Sequence, residues 1–249
     1  RRFLERRGAR SLSIVILADG VNAALRQDLR DRVDDAWDEH RVVLRSGSPL
    51  RREHLERVDF ANAAAILLPA ADFGHGGAAN VDARTIKTLL SLSQSAIVDT
   101  GDPPPLAVAE IFDARKIPVA RRAYRGPIEV VASDAVISRL LAQNVRHPGL
   151  SDVYNELLTH GQGNELYIRD ADPYAGRRFG ELVPAFPRAI LLGIVRPGES
   201  DFEPVLQPGS EYETRLGDRL VLLAERYEDT EASADVGDPE DAGPAPSDS

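Results

Sequence analysis

Between Arg41 and Ala70 the chain reads RVVLRSGSPLRREHLERVDFANAAAILLPA. A β-branched run, Val42-Val43-Leu44, breaks at Ser46-Gly47-Ser48-Pro49. A charged helical turn follows, with Leu50, Leu55 and Val58 as its apolar positions, and a second apolar run spans residues 63–68. Strand, tight turn, helix and strand in that order predict a βαβ unit, because parallel strands are joined only through a crossover. Neither run alternates apolar with polar residues, so both faces of the sheet are expected to be covered by helices.

The same alternation recurs along the first two thirds of the chain. Residues 11–18 (SLSIVILA) read as a strand ending at Asp19-Gly20. Val21, Leu25, Leu29, Val33 and Trp37 then recur every four residues, a narrow helical stripe. A loop over residues 71–77 carries Asp72, His75 and three glycines. Asn80 or Asp82 is expected to cap the helix that follows, running through Ser91 with Val81, Ile86, Leu89 and Leu90 inward. Residues 106–112 and 128–132 are further strands. Ser133-Asp134 caps a helix with Val136, Ile137, Leu140, Leu141 and Val145 on one face, stopped by His147-Pro148-Gly149. The expected fold class is α/β, a Rossmann-like doubly wound parallel sheet over residues 11–148.

After Gly149 the rhythm changes. Leu150, Val153, Tyr154, Leu157 and Leu158 mark an amphipathic helix. Strands are expected over residues 165–168, 190–195, 202–206 and 219–223, with Phe179, Leu182 and Phe186 at near-helical spacing between them. Residues 149–227 thus read as a small α+β lobe. Residues 1–10, with five arginines, read as a linker or the end of a helix. Residues 228–249 carry eight acids and no base, too polar to pack, and are expected to be disordered.

That tail accounts for most of the formal charge of −10, leaving the body near −2, which argues against nucleic acid as the main partner. No apolar run approaches the length of a membrane helix, and no secretory signal is evident. With no cysteine, disulfides and thiolate metal sites are excluded. Methionine is absent too, which points to a piece of a longer polypeptide.

Four strings, LRSGSPL (44–50), VDAR (81–84), SDAVISRLLAQNVRHPGLSDVYNELL (133–158) and LGDRLVLLAE (216–225), occur in an order that resembles the cytosolic regulator-of-conductance (RCK) domain of the CASTOR/POLLUX (SYM8-type) ion channels and their bacterial relatives. The last is similar to the closing hairpin of the C-terminal subdomain in Trk-type regulators. The resemblance covers roughly residues 11–225. It implies a ligand-sensing module in a homotetrameric gating ring on the cytoplasmic face of the cell membrane, with a nucleotide-binding-like N-lobe that pairs with a neighbour and a regulatory C-lobe. It further implies a pore-forming segment upstream, and as ligand calcium, NAD(H), an adenine nucleotide or, in some bacterial relatives, a cyclic dinucleotide. The sequence departs from that pattern at its start. The central first strand of a 3-2-1-4-5 order, with its glycine-rich turn, should precede residue 11, and no G-x-G-x-x-G occurs there. Without it, the strands at 11–18 and 63–68 lack the partner expected between them.

Two candidate binding stretches lie at expected carboxyl ends of strands, where such folds take their ligands. Asp19 could accept hydrogen bonds from ribose hydroxyls, or cap a turn. Arg45, Ser46, Gly47 and Ser48 could meet a base or phosphate, or close a tight turn before the helix near Pro49. Asp72, with His75 and Asp82, flanks the glycine-rich loop; three candidates are too few for an all-protein calcium site, which needs six or more oxygens. The five histidines form no i, i+4 pair, no G-x-S-x-G is present, and no catalytic residue is assigned. The helix face at Val136–Ile137–Leu140–Leu141 is either core or the surface that packs on a neighbouring subunit, and the resemblance favours a partial interface.

The leading reading is therefore a non-enzymatic, ligand-sensing gating-ring domain of a CASTOR/POLLUX-like cation channel. The alternatives are a soluble Trk-type regulatory subunit of a separate K+ transporter and an NAD-linked oxidoreductase, the latter disfavoured by the missing phosphate fingerprint.

Overall fold

The computed structural model describes residues 13–34, 37–70, 77–99, 103–159, 163–198 and 202–233. The chain divides into two compact units, Arg1–Arg146 and His147–Ser249.

In the first unit, strands and helices alternate: β1 (Ile14–Ala18), α1 (Ala23–Val33), β2 (Val42–Ser46), α2 (Arg52–Glu56), β3 (Ile66–Leu68), α3 (Gly77–Asp99), β4 (Ala107–Ile111), α4 (Ile117–Ala123), β5 (Ile128–Ala132) and α5 (Ser133–Arg146). All strand pairs are parallel, as crossover helices require. They form two separate ladders, β1-β2 and β3-β4-β5. The strands of the predicted βαβ unit, β2 and β3, therefore do not lie in one ladder: β2 pairs with β1 and β3 with β4.

The core of this unit is built on β4, whose Ala107 and Ala109 are fully buried. Small side chains there let α3 and α4 approach closely, so Leu89, Leu92 and Ala96 of α3 and Ala120 of α4 complete the cluster with Leu55 and Phe60. Leu17 of β1 and Leu68 of β3 pack against this same cluster. Tyr124, just past α4, is buried with them and donates its hydroxyl to the Pro105 carbonyl; burial pushes its phenol up to about 12.

Three expectations are corrected in this unit. First, α1 has no buried residue and ends at Val33, so Trp37 lies beyond it. The chain leaves the helix at Asp34, whose φ of 54° is left-handed; the helix is held by its Asn22 cap, which accepts from the Leu25 N–H at 2.8 Å. Second, α3 begins at Gly77 and reaches Asp99, so neither Asn80 nor Asp82 is its cap. Its buried face runs through Val81, Thr85, Thr88, Leu89, Leu92 and Ala96, and Leu90 points outward at 43% exposure. The two threonines belong to a helical period that an apolar count alone passes over. Third, α4 was not anticipated; at seven residues with Pro118 in its first turn, it carries too short a pattern to stand out.

The second unit opens with α6 (Leu150–Leu158) and continues with β6 (Glu165–Asp170), α7 (Phe179–Leu182), β7 (Ile190–Pro197), β8 (Phe202–Leu206) and β9 (Arg219–Ala224). The four strands form an antiparallel sheet in the order β6-β9-β7-β8. One face carries the core: Leu191, Ile194, Leu220 and Leu222 from the sheet meet Phe179, Leu182 and Phe186. The turn entering β9 is wired by the buried Asp218, which accepts from the Tyr212 hydroxyl (2.9 Å) and the Arg215 N–H (2.8 Å). Gly217 beside it has φ of 86°, which a side chain would strain, and donates its N–H to Asp172 at 2.7 Å. This is the physical content of the LGDRL string.

The acidic segment begins differently from expectation. Tyr227–Thr230 form a 3-10 turn, Thr230 is buried, and the Ser233 N–H donates to the Ala185 carbonyl at 2.8 Å. Residues 228–233 are therefore packed on the second unit; residues 234–249 lie outside the described residues.

Candidate functional site

Because β1 and β2 run parallel, both leave the sheet at the same end, and their exit turns meet there. The Gly47 N–H donates to the Ala18 carbonyl at 2.8 Å, and the Val21 N–H donates to Ser46 Oγ at 3.0 Å. Asp19 sits in the first turn and Ser46-Gly47-Ser48 form the second, so the structure brings these four sequence-identified residues together. Arg45, at the end of β2, is exposed, with Nη1 3.5 Å from the Leu44 carbonyl. Asp72 and His75 lie outside the described residues.

Three further side chains shape this site and were not assigned to it from sequence. Arg84 of α3 forms an ion pair and hydrogen bond with the Asp19 carboxylate. Both partners are about half exposed, so the pair contributes little to stability, about 0–1 kcal/mol; its consequence is that the carboxylate already has a cationic partner. Arg57 Nη2 donates to the Ser46 carbonyl at 2.7 Å. His54 Nδ1 accepts from the Ser48 N–H at 2.8 Å, which requires the ring to be unprotonated at that nitrogen. Gly47 packs against the same ring: a Cβ there would sit 2.8 Å from His54 Cγ. Arg84 was legible as part of the VDAR string; His54 carried no signal beyond standing six residues past Ser48.

The carboxyl end of β4 forms a second cleft, of about 510 Å³, whose lining includes Ala79, Phe112, Asp113, Arg115, Lys116 and Asp134. Beneath it, Asp82 is fully buried and accepts from the Phe112 N–H (2.7 Å), the Asp113 N–H (3.2 Å) and Lys116 Nζ (2.7 Å). The expectation that Asp82 caps a helix is thereby corrected: its oxygens tie α3 to the β4–α4 turn. At the rim, the Arg115 guanidinium grips both Asp113 oxygens, at 2.9 Å for the shorter contact from each nitrogen. That grip holds the Asp113 carboxyl down at about 2. Among the described residues no group of three or more His, Asp or Glu side chains is placed to hold a metal ion. No helix among them is long and apolar enough to cross a membrane.

Parallel ladders joined by crossover helices and a small antiparallel second lobe define a Rossmann-like α/β fold followed by an α+β lobe. The human SLO3 gating ring shares this fold with a TM-score of 0.61 over 87% of the chain and 40% of that protein, at 17% identity. Residues 134–238 match the family described as Castor and Pollux, part of voltage-gated ion channel. The chain is 32% identical over 196 residues to the ion channel CASTOR of Lotus japonicus, which covers 78% of the chain and 22% of that protein. It is 30% identical over 212 residues to the probable ion channel SYM8 of Pisum sativum, covering 85% and 23%. The chain is thus similar to the CASTOR and POLLUX ion channels, and it spans about a fifth of the length of these curated relatives.

Proposed function

We propose that this chain is a ligand-sensing regulatory domain on the cytoplasmic face of a CASTOR/POLLUX-like cation channel, and that it is not an enzyme. The observation that carries the reading is the meeting of the β1 and β2 exit turns, where Asp19 and Ser46-Gly47-Ser48 stand together behind Arg45. Turns at the carboxyl ends of parallel strands are where folds of this class take nucleotides. The candidate ligands are NAD(H), an adenine nucleotide or calcium, with Asp19, Arg45, Ser46, Gly47, Ser48 and Asp72 as the residues to test. The Asp19–Arg84 pair favours a ligand with both hydroxyl and phosphate groups: the carboxylate accepts from hydroxyls and the guanidinium meets an anion.

Gating requires that the ligand bind one conformation of the assembly more tightly than the other. The assembly would be a homotetrameric ring of such domains joined to an upstream pore segment, with copies meeting through α5. This helix supports that role because no residue of it is buried, while Val136, Ile137, Leu141 and Val145 are 44–84% exposed. An apolar stripe of that length calls for a partner.

The test is thermal unfolding with NAD(H), ATP and calcium added singly. A ligand at 100 times its Kd contributes about 2.7 kcal/mol, which moves the Tm of a protein this size by roughly 5–10 °C. The expected result is a shift with one ligand that Asp19→Ala and Ser46→Ala abolish. A cooperative transition that none of the three moves would overturn the reading.

A further inference from the structure

Of the chain's aspartates only Asp19 precedes a glycine, and no asparagine does. The Asp19-Gly20 peptide lies in the β1 exit turn, between groups that are anchored on both sides. Upstream, the Ala18 carbonyl accepts from the Gly47 N–H at 2.8 Å. Downstream, the Val21 N–H donates to Ser46 Oγ at 3.0 Å and Asn22 caps α1. The Gly20 N–H between them has no acceptor among the described residues. Both residues are exposed, and a Cβ built on Gly20 would meet nothing within 4 Å.

These are the conditions under which a main-chain nitrogen attacks the side-chain carboxyl of the residue before it. A nitrogen whose N–H is not held by an acceptor can approach, and a residue without Cβ does not block the approach. The exposed turn leaves room for the ring that forms. The step balances without a co-reactant. The carboxylate takes up a proton, the Gly20 nitrogen bonds to Asp19 Cγ and gives up its own proton, and the Cγ–O bond breaks with loss of water to leave a cyclic imide. Water then opens the ring. Cleavage of the bond from nitrogen to Cγ restores aspartate. Cleavage of the bond from nitrogen to the main-chain carbonyl carbon gives isoaspartate, in which the chain runs through Cβ and Cγ and the mass is unchanged.

We propose that Asp19-Gly20 is a covalent modification site, at which the main chain isomerises to isoaspartate through a cyclic imide, and that Arg84 restrains the reaction. The restraint follows from the ion pair. The α3 guanidinium holds the Asp19 carboxylate in a hydrogen bond, so cyclisation must break that contact and turn the side chain back onto its own main chain. Both partners are about half exposed, so the pair slows the reaction without blocking it. Isoaspartate adds a methylene to the main chain between β1 and α1 and moves the carboxylate onto Cα, away from Arg84. The contacts of Gly47 with Ala18 and of Val21 with Ser46, on either side, then lose their register. The two exit turns are thereby uncoupled as the protein ages, whichever ligand, if any, they take.

Trypsin supplies the readout, because residues 11–26 (SLSIVILADGVNAALR) form one tryptic peptide in which Asp19 is the sole aspartate. Folded protein kept at neutral pH for several weeks is expected to yield a second, chromatographically separate form of this peptide. Its mass is unchanged, which sets it apart from deamidation at Asn22, its fragments place isoaspartate at residue 19, and an isoaspartyl methyltransferase labels it from S-adenosylmethionine. Arg84→Gln is expected to accumulate this form several-fold faster. Gly20→Ala should accumulate it several-fold more slowly, and alanine fits there because the space is open and the backbone is not left-handed. Arg84→Lys keeps a cation beside Asp19 and should stay near the parent rate. Absence of the second form in both the parent and Arg84→Gln would overturn the proposal. Equal rates in those two proteins, or a rate in Arg84→Lys as fast as in Arg84→Gln, would overturn the restraint by assigning the effect to the turn itself.

Discussion

At the scale of single residues, the second strand-end turn depends on an exchange between Gly47 and His54. The ring lies where a Cβ of residue 47 would go and supplies the acceptor for the Ser48 N–H. Gly47→Ala is therefore expected to push His54 aside and leave that N–H without its acceptor, a loss of about 1–2 kcal/mol in urea unfolding. Removing the ring as well, in a Gly47→Ala/His54→Ala double variant, should recover part of the loss, and strict additivity would show that the two do not interact. Asp82 is a stronger case. It is a buried carboxylate with two N–H donors and an ammonium. Asp82→Asn keeps the shape but leaves Lys116 unpaired and one N–H short of an acceptor. The expected cost is about 3 kcal/mol in chemical denaturation, and a cost below about 1 kcal/mol would mean that Lys116 escapes to solvent freely. Neither partnership was visible in sequence, because His54 and Asp82 each meet atoms whose position depends on a turn between distinct elements.

At the scale of elements, α3 and α5 show opposite uses of the same helical period. In α3 every position on one face from Val81 to Ala96 is buried, including two threonines. In α5 the apolar positions are equally periodic and none is buried. Sequence identified Val136, Ile137, Leu140, Leu141 and Val145 as one face, readable as core or interface, with the resemblance favouring a partial interface. Since the stripe is solvent-facing within this chain, Leu141→Glu is expected to shift sedimentation toward the monomer while moving the Tm by less than about 2 °C. A large drop in Tm with no change in association would instead make the stripe part of an internal core. Short elements were the least legible: α4 escaped notice because seven residues hold less than two full helical periods.

At the scale of the whole molecule, the two units differ in how their strands pair. The antiparallel sheet of the second unit has hydrogen-bonded neighbours for each of its four strands and a core on one face. The packed start of the acidic segment adds to it, with Asp229 meeting Arg188 at 3.2 Å and Ser233 donating to Ala185. Among the described residues the first unit has two separate parallel ladders, β1-β2 and β3-β4-β5.

The order of strands and helices was determined by local information: β-branched runs, periodic apolar faces, and stops such as His147-Pro148-Gly149 act within a few residues of themselves. Tertiary structure alone decided what each polar group does. Asp82 became a buried anchor and not a cap, Asp19 acquired Arg84 from a helix 65 residues away, and the tail at 228–233 folded back because Ala185 offered a carbonyl within reach. Hydrogen bonds of that kind depend on atoms brought to about 3 Å from distant parts of the chain, a distance that composition and periodicity do not encode.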